Sequence, residues 1–242
     1  MRIGTWNVEY AYARRLAALR EKLTANSADI WILTETHDDL APPDCQFVAH
    51  SEQRPKNWSG IRPGSRWVSI WSRYPIIAEV TLPSTDRERT VSALFDLGEG
   101  RTMLVYGTVM PWKGDGGTFD WSEHHRVIPE QCAEWLELKQ KLKQTYSKAK
   151  ICVAGDFNTD MGSGAYYGTK QGIAALRAGL AACDAFCATD PARFPSGLLP
   201  YPPIDHIALP IEDLPSTSVV AAWPADKKAL SDHSGVIVEV RD

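Results

Sequence analysis

A chain of 242 residues suffices for one large domain or two small ones, and for a substantial core without disulfides. Hydrophobic residues make up 44% and charged residues 23%, the proportions of a soluble globular protein. Lys and Arg number 26 against 30 Asp and Glu, a formal charge of −4. That charge excludes whole-protein attraction for a polyanion, although a local basic face or a bound cation can reverse the potential where it matters.

Residues 2–8 read as a short strand, and residues 10–25 as a helix with Leu16, Leu19 and Leu23 at helical spacing. Residues 29–34 form a compact apolar strand. After a turn at 38–43, residues 47–50 suit another strand, and the Pro- and Gly-bearing stretch 51–65 a loop. Strands follow at 67–71, 76–82, 89–96 and 101–109, the last two joined as a hairpin through Leu97-Gly-Glu-Gly100. Residues 111–121 form a glycine-rich loop, 123–147 contain one long helix, and 148–154 form a strand ending at Gly155. A loop spans 159–168, and residues 169–187 are mostly helical. Five prolines exclude regular structure over most of 190–203. Short strands at 204–209 and 218–222, a turn at 230–232 and a strand at 236–240 complete the chain. Strands outnumber helices and many adjoin as antiparallel neighbours. The pattern suits an α+β chain with two sheets packed face to face and helices outside, in one domain.

The five cysteines, Cys45, Cys132, Cys152, Cys183 and Cys187, include no Cys-x-x-Cys. Cys183 and Cys187 suit one helix face, but with no histidine beside them in sequence they argue against zinc. A reducing, cytoplasmic setting is expected. The N-terminus lacks an apolar run of leader length, and nothing approaches the roughly 18 residues of a membrane span.

The acidic and amide residues that directly flank apolar strands stand out. Asn7 follows the first strand and Glu35 the second. Asp156 and Asn158 follow 151–154, Asp205 and His206 enter 207–209, and Asp232 and His233 precede the last strand. Any one of these suits a turn. Together they form a set of metal-ligand and proton-transfer types. Hydrolysis of a phosphodiester needs a poised water, an acceptor for its proton, and positive charge near the phosphoryl oxygens. Mg²⁺ takes hard oxygen ligands, which Glu35, Asp232 and the Asn7 amide oxygen can supply. Asp156 and Asn158 offer an acceptor for water and a donor for phosphate. His233 carries a proton near neutral pH, the more so beside a carboxylate such as Asp205.

The segments TWNV at 5–8, TET at 34–36, WSRYPI at 71–76, GDFN at 155–158, IDHI at 204–207 and SDHS at 231–234 resemble the endonuclease/exonuclease/phosphatase superfamily in kind and order. The resemblance covers essentially the whole chain. It implies a four-layered α/β/β/α sandwich and a Mg²⁺- or Mn²⁺-dependent phosphoesterase. It assigns Glu35 as principal metal ligand, with Asn7 and Asp232 in or beside the metal shell. It also implies that Asp156 orients or deprotonates water, that Asn158 and His233 contact the phosphate, and that Asp205 pairs with the histidine ring. The role of His206 is left open between site and scaffold. One departure concerns the residue after the central strand, where many relatives bind phosphate through His or Tyr. This chain has Val109, which donates no hydrogen bond. Thr108, Trp112, Lys113, His124 and His125 are the nearby substitutes.

Two loops carry specificity information. Arg54, Lys56, Arg62 and Arg66 alternate with Trp58 and Trp67, which suits a nucleic acid with an unstacked base, or a phosphorylated small molecule. The same residues also suit solvated arginines over a core Trp67. The glycine-rich loop 112–121 can close over a substrate or simply plug the sheet edge. The prolyl stretch 196–203 offers only a small apolar surface. The leading expectation is a phosphodiesterase, DNA or RNA being candidate substrates. A phosphomonoesterase on a soluble metabolite or inositol phosphate, and a binding module without turnover, are the alternatives. No obligate protein partner is indicated.

Overall fold

The computed structural model describes residues 1–55, 61–117, 119–162 and 166–241. Twelve strands among these form two six-stranded sheets. The first sheet contains β1 (Arg2–Asn7), β2 (Ile30–His37), β3 (Phe47–His50), β4 (Ser65–Ser72), β11 (Thr217–Trp223) and β12 (Gly235–Val240), in the order β11-β12-β1-β2-β4-β3. The second contains β5 (Ile76–Glu79), β6 (Thr90–Gly98), β7 (Arg101–Val109), β8 (Lys150–Asp156), β9 (Ala185–Cys187) and β10 (Asp205–Pro210), in the order β5-β6-β7-β8-β10-β9. Each sheet is mixed, with a central parallel pair (β1 with β2, β7 with β8) and antiparallel neighbours.

Side-chain alternation sorts the apolar residues into layers. Ile3, Ile32, Val68, Val105, Ala154 and Ile207 meet between the sheets. Trp6, Trp31 and Leu33 point the other way, to Leu19 and Leu23 of α1 (Leu16–Ala25). On the far side, Leu104, Tyr106 and Val153 pack on Ile128, Trp135 and Leu138 of α2 (Ser122–Thr145) and on Leu176 and Leu180 of α3 (Lys170–Ala182). The result is the expected α/β/β/α sandwich. Strands buried on both faces explain why 30–33 and 151–154 read as continuous apolar runs rather than alternating ones.

Two expected helices are shorter than their periodicity suggests. Residues 9–15 form two short 3₁₀ turns instead of α-helix, because Glu9, Tyr10 and Ala11 all adopt positive φ. The helix after 169 stops at Ala182. Asp184 turns the chain at φ 50°, and residues 185–187 add β9 to the edge of the second sheet. Cys183 and Cys187 therefore share no helix face. Cys187 Sγ instead lies 3.5 Å from His206 Nδ1, a neighbour that sequence distance concealed. All five cysteines are free and buried.

Gly155 is where the fold reaches the chemistry. Its φ of +132° is open only to glycine, and a Cβ there would lie 2.0 Å from the Thr108 carbonyl oxygen on β7. β7 and β8 can therefore pair tightly enough to hold Asp156 at the sheet rim. Gly155→Ala is expected to cost about 2–4 kcal/mol of stability and most of the activity. Thermal denaturation checks it, and an unchanged melting temperature would show that the strands part to admit a methyl.

Candidate active site

Five chain segments end at one rim of the sandwich. β1 and β2 run parallel and deliver Asn7 and Glu35 at their C-terminal ends. β8 delivers Asp156, and antiparallel β10 starts directly opposite it, pairing Asp205 with Asp156. Antiparallel β12 starts beside the end of β1, so Asp232 and His233 just before it fall at the same rim. Ser231 fixes that turn. Its hydroxyl donates to Asn7 O at 2.6 Å and accepts the His233 amide at 3.1 Å. Trp6 Nε1 adds a bond to His233 O at 3.1 Å.

Asn7 ties the two sheets' carboxylates together. Its side-chain amide donates to Glu35 Oε1 at 3.1 Å and to Asp156 Oδ2 at 3.0 Å, while its amide oxygen accepts the Glu9 N–H at 2.9 Å. Its backbone N–H donates to Asp205 Oδ1 at 3.1 Å. The Asn7 oxygen is thus engaged by backbone, and its amide nitrogen lies on the expected metal ligand Glu35. Here Asn7 positions the carboxylates. Glu35 sits at φ 47°, a left-handed kink at the end of β2 that aims its side chain into the rim.

Asp205 Oδ2 lies 2.7 Å from His233 Nδ1. The other ring nitrogen, Nε2, faces Asp156 Oδ2 at 3.9 Å and Asp232 Oδ1 at 4.0 Å. Burial by itself disfavours the imidazolium. The combined pull of Asp205 and Asp156, the Asp205 hydrogen bond and Asp232 outweighs it and carries His233 up to about 10. Asp156 is raised as well, which for a carboxylate disfavours the charged form. Burial pushes it up to about 7, reinforced by Asp205 and countered by His233 and by its hydrogen bonds from Asn158 and Asn7. Burial also raises Glu35 against the Asn7 hydrogen bond, Arg54 and His233. Burial thus works against the charged forms of Glu35 and Asp156, with Asp205 and Asp232 close by.

This is the donor set a hard cation requires. Asp156, Asp205 and His233 place ligand-type atoms within 4.8 Å of one another. Within that trio, both Asp205 oxygens already accept hydrogen bonds and His233 is protonated. Both Asp156 oxygens are engaged as well, by the Asn158 N–H and the Asn7 amide, so the oxygens left for an ion are on Glu35 and exposed Asp232.

The other expected residues divide between the rim and the scaffold. Asn158 flanks Asp156, donating its backbone N–H to Oδ1 at 2.8 Å, but its side-chain amide reaches Met110 O at 2.8 Å rather than open space. His206 is fully buried, with Nδ1 2.8 Å from Thr189 Oγ1 and Nε2 2.7 Å from Thr159 O; burial holds its ring down to about 4 and so neutral. Its place is in the scaffold. His124 likewise cannot meet a substrate. It is fully buried, with one ring nitrogen 2.5 Å from Pro111 O and the other 3.0 Å from Thr159 Oγ1. Arg62 is engaged by Asp39 at 3.0 Å and Ala11 O at 3.1 Å, so it braces loops instead of tracking a strand. Arg66 is likewise paired with Asp38. Trp58 and Lys56 lie outside the described residues. Trp67 is core, 6% exposed, with Trp112 tilted against it at 5.9 Å. Lys113 is exposed on the loop after β7. Arg54 is buried, its Nη1 3.9 Å from Glu35 Oε2.

Sequence reading missed a cleft of about 280 Å³ beside the rim, lined by Tyr166, Tyr201, Pro202, Pro203, Asp232 and His233 among others. Tyr166 and Tyr201 stand 5.7 Å apart at 33°, both largely exposed. Exposed aromatics amid prolines were the available signal, although their meeting depends on two loops far apart in sequence.

The family model described as Endonuclease/Exonuclease/phosphatase family matches residues 4–233. The chain belongs to this family. The match spans every rim residue from Asn7 to His233, and the chain is a divalent-metal-dependent phosphoesterase of this family. Similar folds include a 3'-5' exonuclease (NExo) from Neisseria meningitidis, with 18% identity over the whole of both chains and a TM-score of 0.65. An AP endonuclease from Archaeoglobus fulgidus gives 17% identity over the whole of both chains and a TM-score of 0.63. An endonuclease/exonuclease/phosphatase from Beutenbergia cavernae gives 19% identity over 98% of this chain and 70% of that one, with a TM-score of 0.58. At such identities these likenesses show the shared fold. No curated protein matches the sequence. Among the described residues, no helix is long and apolar enough to cross a membrane.

Proposed function

We propose that this phosphoesterase cleaves a phosphodiester of nucleic acid by in-line attack of water, using Mg²⁺ or Mn²⁺. The observation that carries the substrate is the tyrosine- and proline-walled cleft opening beside His233. Flat, exposed rings next to a phosphate-hydrolysing centre suit a sugar or unstacked base adjoining the scissile phosphate. A similar fold, 17% identical with a TM-score of 0.67, is that of the 3' phosphatase NExo from Neisseria bound to a product DNA hairpin, and a DNA ligand on that relative agrees with this choice.

The chain's own groups divide the chemistry. Asp156, raised by burial beside Asp205, takes the proton of the attacking water as the bond from phosphorus to the leaving oxygen breaks, and that oxygen takes its proton from solvent. His233 presents Nε2–H to a phosphoryl oxygen as charge builds there. Asp205, on Nδ1, fixes the ring's orientation and keeps it protonated. Asn7 holds Glu35 and Asp156 in register across the two sheets. Asn158 steadies Asp156 through its backbone N–H. Glu35 and Asp232 would hold the divalent ion, which would supply Lewis-acid polarisation of the phosphoryl oxygen and offset the carboxylate charge. Oxygen donors favour magnesium or manganese.

The test is hydrolysis of a panel with Mg²⁺, Mn²⁺ or EDTA. The panel holds single- and double-stranded DNA, RNA, an abasic duplex, bis-p-nitrophenyl phosphate and an inositol phosphate. Metal-dependent cleavage of a nucleic acid is the expected result. Turnover of the inositol phosphate alone would replace this reading with a metabolite phosphatase.

A further inference from the structure

We propose that Arg54 is a second phosphate-binding residue of this site beside His233, donating through Nη1 to a phosphoryl oxygen of the substrate. The inference rests on the phosphoesterase reading above and adds the donor that β7 does not provide. Val109 at the end of β7 is apolar and buried. Thr108 beside it spends its hydroxyl on Gln131 Oε1 at 2.9 Å, both ring nitrogens of His124 are occupied, and His125 Nε2 lies 2.7 Å from Thr169 Oγ1.

Arg54 comes from the opposite side, out of the connection between β3 and β4. It is 5% exposed, and its Nη1 is buried with no hydrogen-bond partner among the described residues. A buried, unpaired guanidinium N–H is costly and calls for an acceptor. Glu35 Oε2 is 3.9 Å away, too far to be that acceptor. A simple counter-ion for Glu35 would be expected to close to the roughly 2.8 Å of a charge-assisted bond. The guanidinium is instead fixed by rings. It lies 3.4 Å from the Trp67 centroid and 4.7 Å from that of Tyr10, and Arg89 backs Trp67 at 4.8 Å. Tyr10 reaches this stack through its own left-handed backbone, φ 65°. A planar cation is thus held by the two rings and the Tyr10 hydroxyl, while Nη1, without a partner among the described residues, faces the carboxylate rim. A phosphoryl group held by His233 beside Glu35 has an oxygen to offer it, and guanidinium geometry suits that acceptor.

Arg54→Met removes the charge and keeps much of the bulk; Arg54→Lys keeps the charge without the planar stack. Inorganic phosphate serves as probe, both as product inhibitor of bis-p-nitrophenyl phosphate hydrolysis and by calorimetry on metal-loaded protein. R54M is expected to weaken phosphate binding and raise KM by about 10- to 100-fold, with R54K intermediate. Its thermal stabilisation by Mn²⁺ should persist, since the cation facing Glu35 is gone and nothing that holds the ion is lost. Unchanged phosphate affinity in both variants would overturn the proposal and leave Arg54 as the distant counter-charge of Glu35. So would an equal loss in Lys113→Met with none in R54K. Should R54M fail to fold, R54K alone decides by the same readout. Failure of the nucleic-acid reading would look different, with the wild type ignoring DNA and RNA while the phosphate affinities still separate.

Discussion

Glu35→Gln is expected to abolish metal-dependent hydrolysis, with a fall of about 10³-fold or more, while the folded structure survives. The substitution preserves the shape and a hydrogen-bonding partner for Asn7 but removes one negative charge from the rim. In EDTA the melting temperature should hold or rise. Burial already works against ionised Glu35, and neighbouring Asp232 adds to the cost. The wild type should gain stability on adding Mn²⁺ and E35Q should gain far less, because an ion that binds only the folded state stabilises it in proportion to its affinity. The two melting curves separate loss of the ion from loss of the fold. An E35Q protein with wild-type turnover would remove Glu35 from the metal site.

Asp205→Asn should lower kcat by about 10²- to 10⁴-fold, the range for a misplaced proton-transfer group. The amide cannot hold His233 in its protonated state or fix its ring as the 2.7 Å contact to Oδ2 does. The pH dependence of stability carries a second signature. His233 is raised from 6.5 to about 10 in the folded protein. Its contribution is therefore complete below pH 6.5 and is lost as pH climbs through about 10. Asp156 is raised from 3.8 to about 7, so the folded state also prefers it protonated, and stability falls between those values as it ionises. The metal-free wild type should thus lose stability in two stages with rising pH. D205N should lose mainly the upper stage, as denaturant titrations at pH 4, 6, 8 and 10 would reveal. An unchanged upper stage would mean that Asp205 is not what keeps His233 charged.

Much of the fold and rim was legible because apolar strands end where chemistry begins. Asn7, Glu35, Asp156, Asp205, Asp232 and His233 each flank a run that must be buried, and sheet pairing brings those ends together. Burial of individual polar groups was harder to read. His124 and His206 look like site residues by type, yet each is enclosed by hydroxyl and carbonyl partners from segments remote in sequence. Arg54 and Arg62 occupy one basic loop, but Asp39 engages the second while Trp67 and Tyr10 trap the first. The direction of the Asn7 amide depends on Glu9, whose N–H is presented by a left-handed backbone that helical spacing does not announce. The cleft between Tyr166 and Tyr201 joins two irregular loops, where no periodicity exists to read.

The pairing of β1 with β12 has a consequence for how the protein is made. Ribosomal synthesis delivers Asn7 and Glu35 first, and these wait for Asp232 and His233, which arrive with the strand that closes beside β1. Until then β1 has a bare edge, the N-terminal amine lacks its bond to Val240 O, and the acidic half of the rim faces no histidine. On the roles proposed above, a nascent or truncated chain lacks its histidine and exposes a strand that invites aggregation. The last strand thus completes the first sheet and the histidine-bearing half of the rim in one step.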